Sequence, residues 1–243
     1  MFFVHDKIRR NVVVNTDHGS MIVNRFDCNH ERVGHGQWLL DHGSASSVEA
    51  HECFQCIKDY QSPVIFDVGA NIGTYATWLA KLFPKGKIYC FEPQRIVFQM
   101  LCGNMAINNF DNCFAYNMAL GNQNGYLQID EPNYNAPEDF GIFSLVEDKV
   151  FNKSGIQSTV PVMQIDIFIE TYNIQKIDLL KIDVEGMDVD VLRGAKKAIK
   201  KFNPFIFIEH NDNRRSVLKE IQDELGNDYE FKVIQNNVLA KPI

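Results

Sequence analysis

Acidic side chains and a histidine stand directly after two apolar stretches in the C-terminal half of the chain. Asp183 follows residues 179–182, and Glu209 and His210 follow residues 204–208. Such side chains can take a proton from a substrate, and carboxylates can also hold a divalent cation. A lone histidine is more often structural, but a Glu-His pair at the end of a strand favours chemistry.

A glycine turn in residues 64–73, Val-Ile-Phe-Asp-Val-Gly-Ala-Asn-Ile-Gly, is the second candidate site. Gly69 and Gly73 permit a sharp turn that we expect to bring backbone N–H groups close to a ligand. The fingerprint of a site for nicotinamide dinucleotides would require a glycine at position 71, where this chain has Asn71. The carboxylate of Asp67 would repel a pyrophosphate and attract an amine. The turn therefore favours an amine-bearing ligand over a dinucleotide.

Glu92 ends the next predicted strand, residues 87–91. A carboxylate at this place can accept hydrogen bonds from both hydroxyls of a ribose. Together with Asp67 it predicts a nucleoside that carries a positive charge. S-adenosylmethionine (SAM) fits, since it has a ribose, an ammonium group and a sulfonium charge.

Strands and helices alternate along the chain, which is typical of a mostly parallel, doubly wound α/β sheet of the Rossmann-like kind. In such a sheet the strand 179–182 should lie beside the strand 64–66, and ligands bind outside the carboxyl ends of the strands. Asp183 should therefore face the same crevice as Gly69. The further predicted elements are helices 72–83, 95–108 and 188–202, strands 113–119, 126–129, 159–165 and 204–208, and a closing hairpin of 229–234 with 238–240.

The organisation predicted from these elements is an N-terminal cap, residues 1–60, followed by a single catalytic unit, residues 61–243. Residues 121–162 interrupt the alternation as an insert. Its polar part, residues 130–141, is rich in proline, asparagine and acidic side chains. Such a segment is either a surface loop or a lid over the substrate, and both interpretations stay open. For Glu185, capping of the next helix is as good an explanation as function.

Composition limits the function classes. The chain has 243 residues, 45% of them hydrophobic, with a net charge of −7 and a pI near 5.5. Without long runs of lysine or arginine, we expect no binding to nucleic acid. No apolar run is long enough for a membrane span, and the N-terminal one is too short for a signal peptide, so a cytoplasmic location is expected. The oligomeric state is not readable.

Cysteines and histidines in the N-terminal part could suggest zinc. Cys53 and Cys56 form a Cys-x-x-Cys beside His51, with Cys28 and His30 upstream. A second Cys-x-x-Cys is missing, and the two cysteines share one face of a predicted helix. We therefore favour a packed helix with free thiols over a metal site.

Three segments resemble the FkbM-type methyltransferases, a family of class I SAM-dependent enzymes. The resemblance implies a seven-stranded Rossmann-like sheet and methylation of a hydroxyl, often on a sugar or a secondary metabolite. It does not identify the acceptor, because such families are broad in substrate. The segments are residues 66–74 with 91–93, residues 179–186 with 192–195, and residues 204–210.

The resemblance and the chemistry of methyl transfer together assign the residues of the glycine turn and of the neighbouring strand ends to the cofactor. We expect the methionine portion of SAM at Gly69, Ala70, Asn71 and Gly73, its ammonium group at Asp67, its ribose at Glu92, and its adenine near Asn117 and Met118.

For the acceptor, an alcohol needs a base before it can attack a methyl group. His210 is the expected base, oriented by Asp183 and Glu209. Alternatively, Asp183 and Glu209, with Asp212, could hold Mg²⁺. We favour the metal-independent route. An NAD-dependent oxidoreductase is disfavoured by Asn71, whereas a catalytically silent SAM-binding module would need neither Asp183 nor His210.

Overall fold

The structure is a computed structural model that describes residues 9–28, 33–44, 48–145, 152–210 and 215–243. Its strands are β1 (Asn11–Thr16), β2 (Gly19–Asn24), β3 (Val64–Val68), β4 (Lys87–Phe91), β5 (Cys113–Tyr116), β6 (Ala119–Leu120), β7 (Gly125–Pro132), β8 (Lys153–Met163), β9 (Leu179–Ile182), β10 (Phe205–Glu209), β11 (Tyr229–Ile234) and β12 (Asn237–Pro242). Its α-helices are α1 (His35–His42), α2 (Val48–Ile57), α3 (Thr74–Leu82), α4 (Arg95–Ile107), α5 (Ile165–Thr171), α6 (Asp188–Arg193), α7 (Lys196–Phe202) and α8 (Arg215–Leu225).

A seven-stranded sheet in the order β11-β12-β10-β9-β3-β4-β5 forms the centre of the molecule. Strands β10, β9, β3, β4 and β5 are parallel, whereas β12 runs antiparallel to both β10 and β11. The predicted mostly parallel α/β class is confirmed, and β9 does lie beside β3. The carboxyl ends of β3, β4, β9 and β10 consequently meet at one edge of the sheet.

Strand β3 is buried on both faces, as its apolar sequence requires in a doubly covered sheet. Phe66 packs on one face against Phe91 and Phe168, with ring centroids 5.5 and 5.8 Å away. Ile65 packs on the other face in a cluster that includes Leu79 of α3. A charged residue inside such a strand is costly unless it is paired.

The N-terminal residues fold onto the outside of this core. The β1–β2 hairpin packs on α4, where the side chain of Asn108 accepts from Ser20 N at 2.9 Å and donates to Ser20 O at 2.7 Å. Helix α2 is more deeply placed. Its residues Cys53 and Ile57 are fully buried in the same cluster as Leu79.

Three predicted boundaries were wrong. The strand that starts at Cys113 ends at Tyr116, because the chain then turns and the next pair of residues joins a separate sheet of order β6-β8-β7. Ile165 does not end a strand but begins α5. The predicted helix 188–202 is two helices, broken at Gly194, where a Cβ atom would lie 1.9 Å from the carbonyl oxygen of Gly121.

Candidate active site

A cavity of about 500 Å³ opens at the carboxyl ends of β3, β4, β9 and β10. It collects most of the residues predicted for the site. Those that line it are Asp67, Gly69, Ala70, Asn71, Glu92, Met118, Asp183 and Glu209. Gly73, Asn117 and His210 are not among its lining residues, and each has a different environment, described below.

The glycine turn uses its own N–H groups internally, so the expectation that they face a ligand was wrong. Gly69 N and Ala70 N both donate to Phe91 O at 3.0 Å, and Asn71 N donates to Glu92 Oε2 at 3.0 Å. Gly69 has a positive φ of 80°, and a Cβ atom there would lie 1.8 Å from Asp183 O. Glycine is therefore required for the close contact between β3 and the end of β9.

Gly73 faces the protein and not the cavity, which corrects its predicted contact with the methionine portion. A Cβ atom at this position would lie 2.6 Å from Leu101 Cδ1 of helix α4. Its positive φ of 88° sets the turn into α3. Gly73 thus positions the helix behind the glycine turn.

Glu92 joins the turn to the end of β4 and also faces the cavity. Its Oε1 accepts from Gln94 N at 2.8 Å, and its Oε2 accepts from Asn71 N. Burial raises the pKa of the Glu92 carboxyl to about 7, against the effect of these two hydrogen bonds. Each oxygen keeps a second lone pair with which it can accept from a ribose hydroxyl.

Asn117 supports this strand end from behind, which corrects its predicted contact with adenine. Its Nδ2 donates to Glu92 O at 2.9 Å and to Pro93 O at 3.0 Å. Met118, the next residue, does line the cavity. Of the two residues predicted to contact adenine, Asn117 therefore supports the strand end at Glu92, and Met118 forms part of the cavity wall.

Lys181 is the functional residue that sequence reasoning missed. Its side chain is 7% exposed, and its Nζ lies 3.4 Å from Asp67 Oδ1 and 3.2 Å from Asp183 Oδ2. Burial alone would lower the pKa of Lys181, but the two carboxylates raise it, so the side chain stays cationic. The two-residue spacing of Lys181 and Asp183 on one strand was a signal that the two share a face.

Asp67 is 1% exposed, and burial raises the pKa of its carboxyl, while Lys181 opposes that rise. Neither carboxylate oxygen accepts a hydrogen bond from any residue within the described part of the chain. Buried carboxylate oxygens normally do accept one. The cavity wall thus offers acceptor capacity that an ammonium-bearing ligand can use.

Three carboxylates of the cavity wall lie close together. Oxygen atoms of Asp183, Glu185 and Glu209 lie within 4.8 Å of one another, a spacing that a divalent cation could bridge. Burial, with the charges of Asp183 and Glu185, raises the pKa of Glu209 to about 8. Asp212, predicted as a further ligand, lies outside the described residues.

Asp188 holds the loop that carries Asp183 and Glu185. Its Oδ1 accepts from Val184 N and its Oδ2 accepts from Gly186 N, both at 3.1 Å. Glu185 adopts a positive φ of 53° in this loop. Asp188 is therefore structural, whereas Glu185 lines the cavity.

His210 does not have the position predicted for a base. Its side chain is 5% exposed and does not line the cavity, while its backbone N donates to Asn236 O. The preceding residue, Glu209, alternates to the opposite side of the chain and does line the cavity. A base has to reach the acceptor hydroxyl, and of these two residues Glu209 is the one that lines the cavity.

Residues 67–233, which include most of the residues that line the cavity, match the family model described as the methyltransferase FkbM domain. The chain belongs to the FkbM methyltransferase family.

Two curated relatives of this FkbM methyltransferase carry informative names. The 2-O-methyltransferase NoeI of Sinorhizobium fredii is 25% identical over 175 residues, which cover 69% of this chain and 71% of that protein. The hexuronic acid methyltransferase AglP of Haloferax volcanii is 26% identical over 161 residues, which cover 61% of this chain and 56% of that protein. Both are methyltransferases, as is the family.

Among solved structures, the crystal structure of methyltransferase FkbM from Methylobacillus flagellatus superposes with a TM-score of 0.52 at 17% identity. The match covers 74% of this chain and 43% of that chain, so this chain spans less than half the length of that protein. The similarity supports the shared Rossmann-like fold.

Two segments from outside the central sheet cover the cavity of the FkbM methyltransferase, residues 33–38 and residues 139–145. Buried Asp27 joins them, since its Oδ2 accepts from Gly36 N at 2.6 Å and its Oδ1 accepts from Phe140 N at 3.0 Å. The polar segment of the insert therefore continues into the wall of the cavity.

The cysteines of the N-terminal part are packed as expected for a helix. Cys53 is fully buried and Cys56 is half-buried, neither is part of a disulfide, and burial raises the pKa of Cys56. Within the described residues, the potential metal ligands that lie close enough to share an ion are Asp183, Glu185 and Glu209. His30 lies outside the described residues. No helix in the described ranges is long and apolar enough to cross a bilayer.

Proposed function

We propose that this protein transfers the methyl group of SAM to a hydroxyl group of a sugar or a sugar-like acceptor. The observation that carries the proposal is the division of one cavity into two chemical halves. Glu92 and Asp67 line the half that suits a positively charged nucleoside, and Asp183 and Glu209 line the half that suits a hydroxyl. Family membership and the names of the relatives support methyl transfer to oxygen.

The residues present fit SAM. Its ammonium group would meet the buried oxygens of Asp67, which accept no hydrogen bond from the described residues. Its ribose would bind Glu92, whose oxygens already hold the turn in place. Met118 would contact the adenine, and Gly69, Ala70 and Asn71 the methionine portion. When bound, the cofactor supplies an electrophilic methyl group on a sulfonium.

Glu209 is the proposed base, in place of His210. With a pKa of about 8 the carboxylate is basic enough to take a proton, and a base of this kind contributes about 10² to 10⁴ in rate. Glu209 would take the proton of the acceptor hydroxyl, and SAM, when bound, would supply the methyl group to that oxygen and leave as S-adenosylhomocysteine. Asp183, held in place by its ion pair with Lys181, accepts a hydrogen bond from a second hydroxyl of the acceptor and so orients the acceptor.

The test follows radiolabelled methyl groups from SAM to a panel of sugars, polyketide alcohols and lipids, with SAM binding measured separately by calorimetry. Transfer to a hydroxyl that is lost in Glu209→Gln, with binding of SAM unchanged, is the expected result. Binding of SAM without transfer to any acceptor would instead identify a catalytically silent module. If NADH, and not SAM, raised the melting temperature, the protein would be an oxidoreductase.

A further inference from the structure

An exposed tryptophan lies at the mouth of the cavity, on the segment that covers it. Trp38, on the first helix, lines the cavity and has 47% of its surface exposed. Large aromatic side chains are usually buried, and one held open at a binding site is informative. Neither the catalytic proposal nor the assignment of the cofactor residues uses it.

The indole ring of Trp38 is fixed in place. Its Nε1 donates to Ser44 O at 2.9 Å, and the ring of His42 stacks on it at 3.9 Å with an interplanar angle of 17°. The stacked imidazole covers one face of the indole, so the opposite face is the one available to a ligand. A flat surface that is already ordered binds with little further loss of conformational entropy.

An indole face attracts a particular kind of ligand surface. The face of an aromatic ring is electron-rich, so it attracts groups that present positively polarised hydrogens. The C–H groups on one face of a pyranose ring do so, while the hydroxyls project sideways. The carboxylates of Asp183 and Glu209, in the same cavity, are acceptors for such hydroxyls. The combination of a flat ring and lateral acceptors suits a sugar ring better than an open-chain alcohol.

The charge of the residues that line the cavity limits which sugars can be the acceptor. Lys181 is the only lysine or arginine among the described residues that line the cavity. Its Nζ already lies close to two carboxylates, those of Asp67 and Asp183. A carboxylate on the acceptor would approach Asp183 and Glu185, and no second lysine or arginine among the described lining residues offsets the repulsion. The acceptor would then differ from the acidic sugar in the name of the Haloferax volcanii relative.

We infer that Trp38 is a specificity-determining platform on which the ring of an uncharged pyranose stacks, with its hydroxyl directed to the acidic side of the cavity. The inference rests on the proposed methyl transfer to a hydroxyl and specifies the acceptor as a neutral, cyclic sugar.

Binding is tested by fluorescence in Trp78→Phe, in which Trp38 is the remaining tryptophan, since the chain has two. The probes are neutral methyl pyranosides of the gluco, galacto, manno and fuco series, methyl glucuronide, and open-chain sorbitol, each with S-adenosylhomocysteine present. We expect at least one neutral pyranoside to change the emission of Trp38, glucuronide to bind at least about tenfold more weakly, and sorbitol to have no effect. No change with any pyranoside, or an equal change with sorbitol, overturns the inference.

Catalysis supplies the second readout, with the best neutral pyranoside as acceptor. Trp38→Ala should raise KM about tenfold with kcat nearly unchanged, and Trp38→Phe, which keeps a ring, should lie between. Tyr126→Ala is the matched control, because Tyr126 is an aromatic residue that is 75% exposed and does not line the cavity. Melting temperatures check that each variant folds.

The two proposals fail in different ways. If methyl transfer occurs to non-sugar hydroxyls but to no pyranoside, or if Trp38→Ala leaves KM unchanged, Trp38 is not a sugar platform while the proposed function stands. If SAM gives up its methyl group to no acceptor at all, the proposed function fails and the inference fails with it.

Discussion

Lys181 stands directly opposite Asp67 in the register of β9 and β3, and its Nζ lies 3.4 Å from Asp67 Oδ1. The same Nζ lies 3.2 Å from Asp183 Oδ2 and 4.9 Å from the centre of the Tyr75 ring. One buried cation therefore joins the carboxylate proposed for the cofactor to the carboxylate proposed for the acceptor. The two halves of the site depend on a single side chain from the middle of the sheet.

Removal of this cation should destabilise the fold. Methionine is similar in length to lysine but uncharged, so in Lys181→Met the carboxylate of Asp67 stays buried without its counter-charge. Breaking a buried ion pair costs about 3–5 kcal/mol. Urea unfolding measures the loss. Lys181→Met with Asp67→Asn should recover most of that stability, since the carboxylate that remains, Asp183, is 42% exposed and can be solvated. A double variant that is no more stable than Lys181→Met would contradict the pairing.

The pH dependence of methyl transfer should follow Glu209. A base acts in its deprotonated form, and the pKa of Glu209 is raised to about 8, so kcat/KM for the acceptor should increase as the pH rises through about 8. Glu209→Gln should lower kcat by about 10² to 10⁴ and remove this pH dependence. The matched control is Glu230→Gln, an exposed carboxyl on the edge strand β11. A Glu209→Gln enzyme with the original pH profile would exclude Glu209 as the base.

The same shift should appear in the stability of the protein. The pKa of Glu209 is higher in the folded protein, about 8, than its ordinary value of 4.5, so the folded state binds more protons between these values. The free energy of unfolding should therefore fall as the pH rises from about 4.5 to about 8. Glu209→Gln should weaken this dependence in urea unfolding measured across the range. An identical slope in the variant and in the original protein would contradict the shift.

Chelation of divalent cations should leave methyl transfer intact. Lys181 already supplies a positive charge beside Asp183, and the raised pKa of Glu209 keeps that one carboxyl largely neutral near pH 7. Activity in EDTA should equal activity in Mg²⁺, and calorimetry should detect no tight Mg²⁺ binding. Loss of activity in EDTA, restored by Mg²⁺, would establish a metal site, for which the structure brings together Asp183, Glu185 and Glu209.

The two strands at the centre of the site approach too closely for any side chain at Gly69. Gly69→Ala should unfold or severely destabilise the protein, because the added Cβ would lie 1.8 Å from Asp183 O. Gly155→Ala is a close control. Gly155 has the same φ of 80° but no atom within 4 Å of an added Cβ, so it should lose only the backbone cost of about 1–2 kcal/mol. Equal losses of stability would show that the backbone angle, and not the contact, requires glycine at 69.

Local sequence was sufficient for the parallel sheet, because apolar runs such as 64–66 and 179–182 end in turns with glycine or an acidic residue. The same runs indicated which strand ends carry the chemistry. Element boundaries were less predictable. The lack of room for a side chain at Gly194, where the helix breaks, comes from the carbonyl of Gly121, which is distant in sequence and meets it only in the folded chain.

By itself, the sequence determined the α/β class, the resemblance to the methyltransferase family and the set of acidic residues at the strand ends. The tertiary structure decided which side of each strand end faces the cavity. Alternation along β10 directs Glu209 into it and leaves His210 outside, and the register of β9 with β3 places Lys181 against Asp67. Contacts between distant strands set these positions, because charge pairing and close backbone approach depend on neighbours in space and not on neighbours in the chain.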